Sequence, residues 1–239
     1  MTDLTWILEP ATGQLLAEGL TSEELTALVG DLLPPGRELA CARPLTSTPL
    51  PAATDASAPI LRVARIYHGS AIEGPGRRSV LLLQGCVTRC RSCAVPERHD
   101  ISGGVALGVL DVVAALLDPA GEPRDGISVS GGEPLLQPVG LAALLRALNE
   151  RGVHTLVYSG YTFEALARRP ESEVQEVLEL ADLLIDGPFV AALAEGAGSW
   201  TGSANQRVID LRATRQHGQV MLWRESTPWT TDPLDLAQP

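Results

Sequence analysis

The chain has 239 residues, a hydrophobic fraction of 45% and a formal net charge of -11 at pH 7. This length suits one sizeable domain, or one domain with a small appendage. The acidic balance argues against nucleic-acid binding, which needs a basic surface, and no apolar run approaches the ~20 residues that span a bilayer. Since the first residues also lack the basic and apolar regions of a signal peptide, we expect a cytoplasmic protein.

Residues 1–58 differ in composition from the rest and predict an N-terminal accessory module with a linker, followed by a core at 59–239. Two apolar segments, at residues 5–9 and 15–18, flank Pro10 and Gly13 and predict a hairpin. The capping box from Thr21 to Glu24 predicts a helix that ends near Leu33. Residues 46–59 are rich in Pro, Ser and Thr and read as the linker. Cys41 lies in this region and is interpreted as a packing residue.

Beyond residue 60 the pattern alternates between short apolar strands and amphipathic helices. Strands are predicted at 61–67 (an edge strand), 79–84, 126–130, 154–159, 183–186, 207–211 and 219–223, and helices at 107–117, 139–151, 164–168 and 173–180. Such alternation predicts an α/β fold with a parallel sheet. The residues from Thr227 onward are predicted to form a loose tail.

Four of the predicted strands end in residues suited to binding or catalysis. In parallel α/β folds the carboxyl ends of the strands share one edge of the sheet, and functional sites lie there. We therefore expect the side chains or backbone at these four ends to converge on one site. The four positions are Cys86, Gly131, Ser159 and Asp186.

Three cysteines, Cys86, Cys90 and Cys93, follow a predicted buried strand with the spacing Cys-x3-Cys-x2-Cys. In a reducing compartment, clustered cysteines are more often metal ligands or catalytic groups than disulfides. Thiolates bind both zinc and iron–sulfur clusters. A structural zinc site needs a fourth protein ligand, for which His99 is a candidate. A redox pair of Cys90 and Cys93 is a weaker alternative because it leaves Cys86 unexplained.

A [4Fe–4S] cluster explains why a fourth protein ligand is missing. Three cysteines leave one iron open, and an open iron can bind an exchangeable small molecule. The cysteine spacing, with the Gly-Gly-Glu-Pro segment that begins at Gly131, resembles the radical S-adenosylmethionine (SAM) enzymes. Within them, residues 128–137, 156–162, 183–189 and 202–210 resemble the glycyl-radical activases of anaerobic ribonucleotide reductase. The likeness covers about Leu61 to Leu211. The chain departs from that group at Val95, where Asn is usual.

The resemblance implies a fold and a set of site residues. The fold would be a partial (β/α)6 barrel of the radical SAM type, with a small N-terminal α+β extension. The three cysteines would bind three irons of the cluster, and the fourth iron would chelate SAM. Backbone groups of Gly131, Gly132 and Glu133 would line the methionine amine, while Ser159 and Asp186 would also contact SAM.

The resemblance also implies a function: reductive cleavage of SAM to a 5'-deoxyadenosyl radical that installs a glycyl radical on a partner enzyme. The protein would then be an oxidoreductase served by flavodoxin or ferredoxin as electron donor. One alternative is a radical SAM enzyme that modifies a peptide or small metabolite directly, which the extra residues 1–58 leave open. A non-catalytic iron–sulfur or zinc interaction protein is the remaining alternative.

Overall fold

The computed structural model describes residues 59–117 and 124–224, together with the backbone of three short strands at residues 5–8, 15–18 and 46–47. The chain divides into two compact units, Met1–Thr46 and Ser47–Pro239. In the first unit, β1 (Thr5–Leu8) and β2 (Leu15–Glu18) pair antiparallel, which confirms the predicted strand pair. A two-residue strand, β3, covers Thr46–Ser47. The predicted helix at 21–33, Cys41, most of the linker and the tail from Thr227 lie outside the described residues.

The second unit contains seven strands and five α-helices within its described residues. The strands are β4 (Ile60–Ser70), β5 (Arg78–Leu83), β6 (Val105–Gly108), β7 (Gly126–Gly131), β8 (Thr155–Tyr158), β9 (Leu183–Asp186) and β10 (Arg207–Asp210). The helices are α1 (Val109–Leu117), α2 (Pro138–Asn149), α3 (Phe163–Ala167), α4 (Ser172–Leu180) and α5 (Leu211–His217). The α/β class predicted from the sequence is confirmed.

The centre of the sheet is parallel, as the alternating pattern predicts. Strands β5, β7, β8 and β9 lie side by side in that order and run parallel. At the two sides of this parallel group, β4 pairs antiparallel with β5 and β10 pairs antiparallel with β9. Strands covered on both faces read as continuous apolar runs, and every residue of β5 and β9 is indeed buried.

The two faces of the sheet differ in what covers them. Successive side chains of a strand point to opposite faces. In β9, Leu184 belongs to the main hydrophobic cluster with helices α1, α2 and α4, while Leu183 and Ile185 belong to a smaller cluster that includes Trp200 and Trp223. The helices therefore cover one face, and the second face carries the smaller cluster.

The structure corrects the sequence prediction at three elements. The predicted edge strand at 61–67 is longer, and β6 pairs with its first four residues, so it has neighbours on both sides. The predicted helix at 107–117 begins only at Val109, because residues 105–108 extend into β6. The predicted strand at 219–223 is reduced to one bridge, between Leu222 and Ile209. The chain between them forms α5, whose first turn is capped by the Asp210 side chain.

Candidate active site

A cavity of about 290 Å³ lies at the carboxyl ends of the parallel strands. Its wall includes every predicted site residue except Asp186, which confirms that these strand ends meet at one place. The predicted residues that line it are Cys86, Cys90, Cys93, Gly131, Gly132, Glu133 and Ser159. This volume is close to the lower end of the range for small-molecule sites, about 300–1,000 Å³.

The loop that carries the cysteines has an unusual backbone. Arg89 and Ser92, neither of them glycine, have φ values of 45° and 63°. This left-handed region costs an L-residue about 1–2 kcal/mol and is found where surrounding structure enforces it, often at functional sites. The Cys93 N–H donates to the Cys90 carbonyl at 3.2 Å, closing a turn between the second and third cysteines. The three thiols thus come from one tightly wound loop.

Gln84, the residue after β5, holds the segment that follows the cysteines. Its side-chain amide donates to the carbonyl of Glu97 at 3.1 Å and to that of Asp100 at 2.8 Å. The Gly85 N–H donates to the Arg98 carbonyl at 3.0 Å. These bonds fix the 3-10 helix Pro96–His99 against the carboxyl end of β5. Both ends of the cysteine loop are therefore anchored to the same strand.

Gly131 and Gly132 are needed because two backbones approach closely here. A Cβ on Gly131, whose φ is +111°, would lie 2.4 Å from the backbone N and O of Leu83. A Cβ on Gly132 would lie 2.1 Å from the carbonyl oxygen of Gly85. The N–H groups of Gly132 and Glu133 already donate to the carbonyls of Leu83 and Gly85, each at 2.8 Å. These two N–H groups are therefore already hydrogen-bonded within the protein.

The Glu133 carboxylate joins the end of β7 to the end of β8. Its Oε1 accepts from the Leu135 N–H at 2.9 Å and from the Ser159 hydroxyl at 3.0 Å, and its Oε2 accepts from the Gly160 N–H at 2.7 Å. The residue is 1% exposed, and this burial raises the pKa of its carboxyl group despite the hydrogen bonds. Ser159 in turn accepts from the Tyr161 N–H at 3.1 Å. The side chains of Glu133 and Ser159 thus shape the cavity wall by bonding to the protein.

Asp186 is placed differently from the other predicted residues. It continues the alternation of β9, so its side chain shares the helix-covered face with Leu184. Its carboxylate accepts from the Phe163 N–H at 2.7 Å, at the start of α3, and from Arg207 Nε at 3.0 Å. Arg207 also pairs with Glu164 at 2.9 Å. Asp186 is therefore engaged by protein groups, and its neighbour Gly187 lines the cavity in its place.

The donor set fits an iron–sulfur cluster better than a single metal ion. Three thiolate ligands suit both, but in a cluster each thiolate binds its own iron, so the sulfurs stand farther apart than around one ion. Over residues 59–117 and 124–224, no three His, Cys, Asp or Glu side chains converge closely enough to hold one ion. Within these residues, Cys86, Cys90, Cys93 and His99 are thus not gathered around one ion-sized point. Cys86, Cys90 and Cys93 are free thiols on the wall of one cavity.

The cavity wall also contains residues that the sequence reasoning missed. Thr88 lies inside the cysteine motif, and Tyr158, Phe189 and Gln206 come from β8 and from the segment between β9 and β10. Gln206 holds that segment together, since it accepts from the Gly202 N–H at 2.7 Å and donates to the Gly187 carbonyl at 2.9 Å. Tyr158 could have been predicted as a cavity residue, because it lies at the carboxyl end of a parallel strand.

The family model described as "4Fe-4S single cluster domain" matches residues 72–209, which is more than half of the chain. The chain belongs to this family. The match spans the cysteine loop, Gly131–Glu133, Ser159 and Asp186. It agrees with the arrangement of three cysteines around one cavity.

The curated proteins similar to this chain include two kinds of activating enzyme. The anaerobic ribonucleoside-triphosphate reductase-activating protein of Salmonella typhimurium is 32% identical over 160 residues, which is 64% of this chain and 100% of that protein. The protein of the same name from Escherichia coli K12 is 30% identical over 153 residues, or 61% of this chain and 96% of that protein. The pyruvate formate-lyase-activating enzyme of Clostridium pasteurianum is 32% identical over 131 residues, which is 52% of this chain and 50% of that enzyme.

These relatives confirm the resemblance to the radical SAM activating enzymes that the motifs indicate. The 4Fe-4S protein described here is accordingly an enzyme of the oxidoreductase type, and its cofactors are a [4Fe–4S] cluster and S-adenosylmethionine. Within the described residues, none of the helices has the length and apolar character to cross a membrane.

Proposed function

We propose that this chain cleaves SAM reductively and uses the resulting 5'-deoxyadenosyl radical to install a glycyl radical on a partner enzyme such as anaerobic ribonucleotide reductase. The observation that carries the proposal is the meeting of three cysteines and the Gly131–Glu133 turn at one cavity. The chain also covers the full length of a relative named for activating that reductase. Convergence of this kind at the carboxyl edge of a parallel sheet is what a shared active site requires.

We assign roles to the chain's own residues as follows. The thiolates of Cys86, Cys90 and Cys93 would hold three irons of the cluster, leaving one iron for SAM. The carbonyls at Gly131 and Gly132 would accept from the methionine amine. When bound, the cluster and SAM supply the electron transfer and the radical, and the protein orients them and excludes water.

Asp186 acts in this proposal through the residues it holds. Its bonds to Phe163 and Arg207 fix the start of α3 and the beginning of β10. Gly187, which follows it, lines the cavity. Ser159 is similar, because its hydroxyl donates to Glu133 and so helps to hold that carboxylate in the cavity wall.

The remaining parts of the proposal concern the setting of the reaction. The sheet would curve into the open partial barrel of the radical SAM type, and the barrel opening would admit a loop of the partner protein. The enzyme would work in the cytoplasm, and a flavodoxin or ferredoxin would supply the electron. Residues 1–58 would form an accessory module with a linker, and residues 59–239 the radical SAM core with a C-terminal tail.

The experiment that tests this proposal is an anaerobic assay with reconstituted protein. The cluster-loaded chain is mixed with SAM and a low-potential reductant, and 5'-deoxyadenosine is measured. The partner reductase is then added, and its glycyl radical is measured by electron paramagnetic resonance. Cys90→Ala should lose both iron and SAM cleavage, whereas Cys41→Ser should retain both. Absence of 5'-deoxyadenosine from the loaded wild-type protein would refute the enzymatic proposal and favour a non-catalytic iron–sulfur protein.

A second candidate is a radical SAM enzyme that acts directly on a peptide or small metabolite. It is favoured by one observation: the match to the reductase-activating protein covers 64% of this chain, so about a third of the residues lie outside that match. The two candidates differ in what accumulates. An activase makes 5'-deoxyadenosine together with a radical on a partner protein. A modifying enzyme makes it together with a changed peptide or metabolite.

A further inference from the structure

Two buried side-chain atoms in the described residues have no hydrogen-bond partner, and both belong to residues that line the same cavity. They are the hydroxyl oxygen of Thr88 and the Nε2 atom of His99. A buried polar group without a partner destabilises a protein by about 1–3 kcal/mol, and such groups are rare in native structures. Because both residues line the same cavity, a molecule bound there is the natural source of the missing partners.

Three other polar side chains of the wall, those of Glu133, Tyr158 and Gln206, are already hydrogen-bonded to the protein. Glu133 accepts three hydrogen bonds from the protein. The Tyr158 hydroxyl donates to the Trp200 carbonyl at 3.0 Å. The Gln206 side-chain amide both accepts a hydrogen bond, from the Gly202 N–H, and donates one, to the Gly187 carbonyl. Thr88 and His99 are thus distinguished from these neighbours by having unpaired polar atoms at the cavity.

Both residues are held in place before any ligand arrives. Thr88 packs against Gly160, where a Cβ would come within 3.1 Å of the Thr88 hydroxyl oxygen. His99 ends the 3-10 helix that Gln84 ties down through the Glu97 and Asp100 carbonyls. Groups fixed in this way bind without further loss of conformational freedom.

We infer that the Thr88 hydroxyl and His99 Nε2 hydrogen-bond the SAM molecule that occupies this cavity. The inference rests on the proposed function, because it takes SAM as the occupant. It assigns direct ligand contacts to two side chains that do not bind iron: Thr88 in the cysteine loop and His99 in the 3-10 helix that follows it. Since the cysteines would bind the cluster, Thr88 and His99 are the side chains of this segment that would contact the bound molecule.

The test measures binding rather than turnover. The cluster-loaded protein is titrated with S-adenosylhomocysteine, which has no sulfonium group to cleave, and the Kd is determined by equilibrium dialysis. Thr88→Val removes the hydroxyl at constant shape, and His99→Phe removes the ring nitrogens. Thr88→Ser and His99→Gln restore a polar atom near the same position. His217→Phe is the matched control, because His217 is exposed and bonds within its own helix, to the Ala213 carbonyl at 2.9 Å.

We expect Thr88→Val and His99→Phe each to raise the Kd about tenfold, the effect of losing one good hydrogen bond. Thr88→Ser, His99→Gln and His217→Phe should stay near the wild-type value. Thr88→Val should also keep or raise the melting temperature of the cofactor-free protein, because an unpaired buried hydroxyl is replaced by a methyl group. A merely structural threonine would show the opposite pattern, a lower melting temperature with an unchanged Kd.

Three outcomes would overturn the inference. If wild-type protein binds and both variants bind equally well, the inference is wrong while the proposed function stands. If His99→Phe loses iron or changes the cluster's spectrum before any ligand is added, the imidazole serves the cluster instead. If loaded wild-type protein binds neither SAM nor its analogue, the inference and the proposed function fail together.

Discussion

Glu133 and Ser159 are joined across two strand ends: the Ser159 hydroxyl donates to Glu133 Oε1 at 3.0 Å, inside the wall of the cysteine-lined cavity. The same carboxylate accepts from the Gly160 N–H. This bond explains why a glutamate follows the glycine pair. It fixes the spacing between the turn after β7 and the turn after β8. The glutamate of the motif therefore shapes the cavity from within the protein.

Removal of the Glu133 carboxylate should destabilise the fold. Glu133→Ala leaves three donors unpaired, those of Leu135, Ser159 and Gly160, and should lower the free energy of unfolding by about 3 kcal/mol. Glu133→Gln should lower the free energy of unfolding by less, because its side-chain oxygen still accepts hydrogen bonds. It should still be destabilising, because its NH2 group faces a donor. Urea unfolding of the cofactor-free protein measures both changes. Glu176→Gln, which breaks only the exposed pair with Arg146, should cost less than about 1 kcal/mol. Equal losses for Glu133 and Glu176 variants would contradict this account.

A methyl group at Gly132 should displace the cysteine loop. Its Cβ would lie 2.1 Å from the Gly85 carbonyl oxygen, directly before Cys86. We expect Gly132→Ala to lower the free energy of unfolding by about 3 kcal/mol or more and to reduce the iron bound after reconstitution. Gly198→Ala is the control, since its nearest atom would be 3.8 Å away, and should change stability by less than about 0.5 kcal/mol. Normal iron content in Gly132→Ala would show that the close approach is dispensable.

The sequence was sufficient to predict the parts of the site that depend on local spacing and on topology. The three cysteines lie within eight residues, and parallel strands bring their carboxyl ends to one edge, so the meeting of Cys86 with Gly131 and Ser159 followed from the alternation alone. The chain pattern around residues 105–117 was ambiguous, because a four-residue strand and the start of a helix share the same apolar residues. That ambiguity concealed β6.

Other features depend on contacts that no linear pattern records. In β9 the residues on both faces are apolar, so no contrast between polar and apolar positions assigns Asp186 to the helix-covered face. Its partner Arg207 lies 21 residues away along the chain. The unpaired atoms of Thr88 and His99 are likewise visible only when every neighbour is placed, because a missing hydrogen bond is a property of the folded structure.

Asp186 and Arg207 should behave as a coupled pair. Asp186 is 1% exposed, whereas the Arg207 side chain is 33% exposed. Asp186→Asn and Arg207→Gln should each cost about 2 kcal/mol of unfolding free energy, below the usual cost for a fully buried pair because solvent screens the arginine. The double variant should cost less than the sum of the two single changes. Urea unfolding of the four proteins in this cycle measures the coupling.

The same variants test whether Asp186 contacts SAM. If its role is to hold the start of α3 and β10, the two single variants should alter the Kd for S-adenosylhomocysteine to a similar, small extent. Direct contact with the ligand would instead raise the Kd about tenfold in Asp186→Asn alone, since tenfold corresponds to one charged hydrogen bond of about 1.4 kcal/mol. That result would place the carboxylate in the binding site.

His154 should make stability depend on pH. It lies at the amino ends of the strands, where the guanidinium of the fully buried Arg78 contacts its Nδ1 at 3.3 Å. Burial, assisted by this positive charge, lowers the pKa of His154 from 6.5 to about 4. A lowered folded-state pKa means that the unfolded chain binds the proton more readily below pH 6.5. The stabilising contribution is therefore complete above that pH and is lost as the pH falls toward 4.

The expected loss from this residue is about 3 kcal/mol, since each pKa unit is worth about 1.36 kcal/mol. Urea unfolding at several values between pH 7.5 and about pH 4 measures it. His154→Asn places an oxygen near the Nδ1 position, preserves an acceptor for Arg78 and cannot titrate, so its stability should fall less steeply over this range. His217→Asn should follow the wild-type curve, because His217 is exposed at the end of α5. If His154→Asn and wild type lose stability in parallel, other groups account for the acid sensitivity.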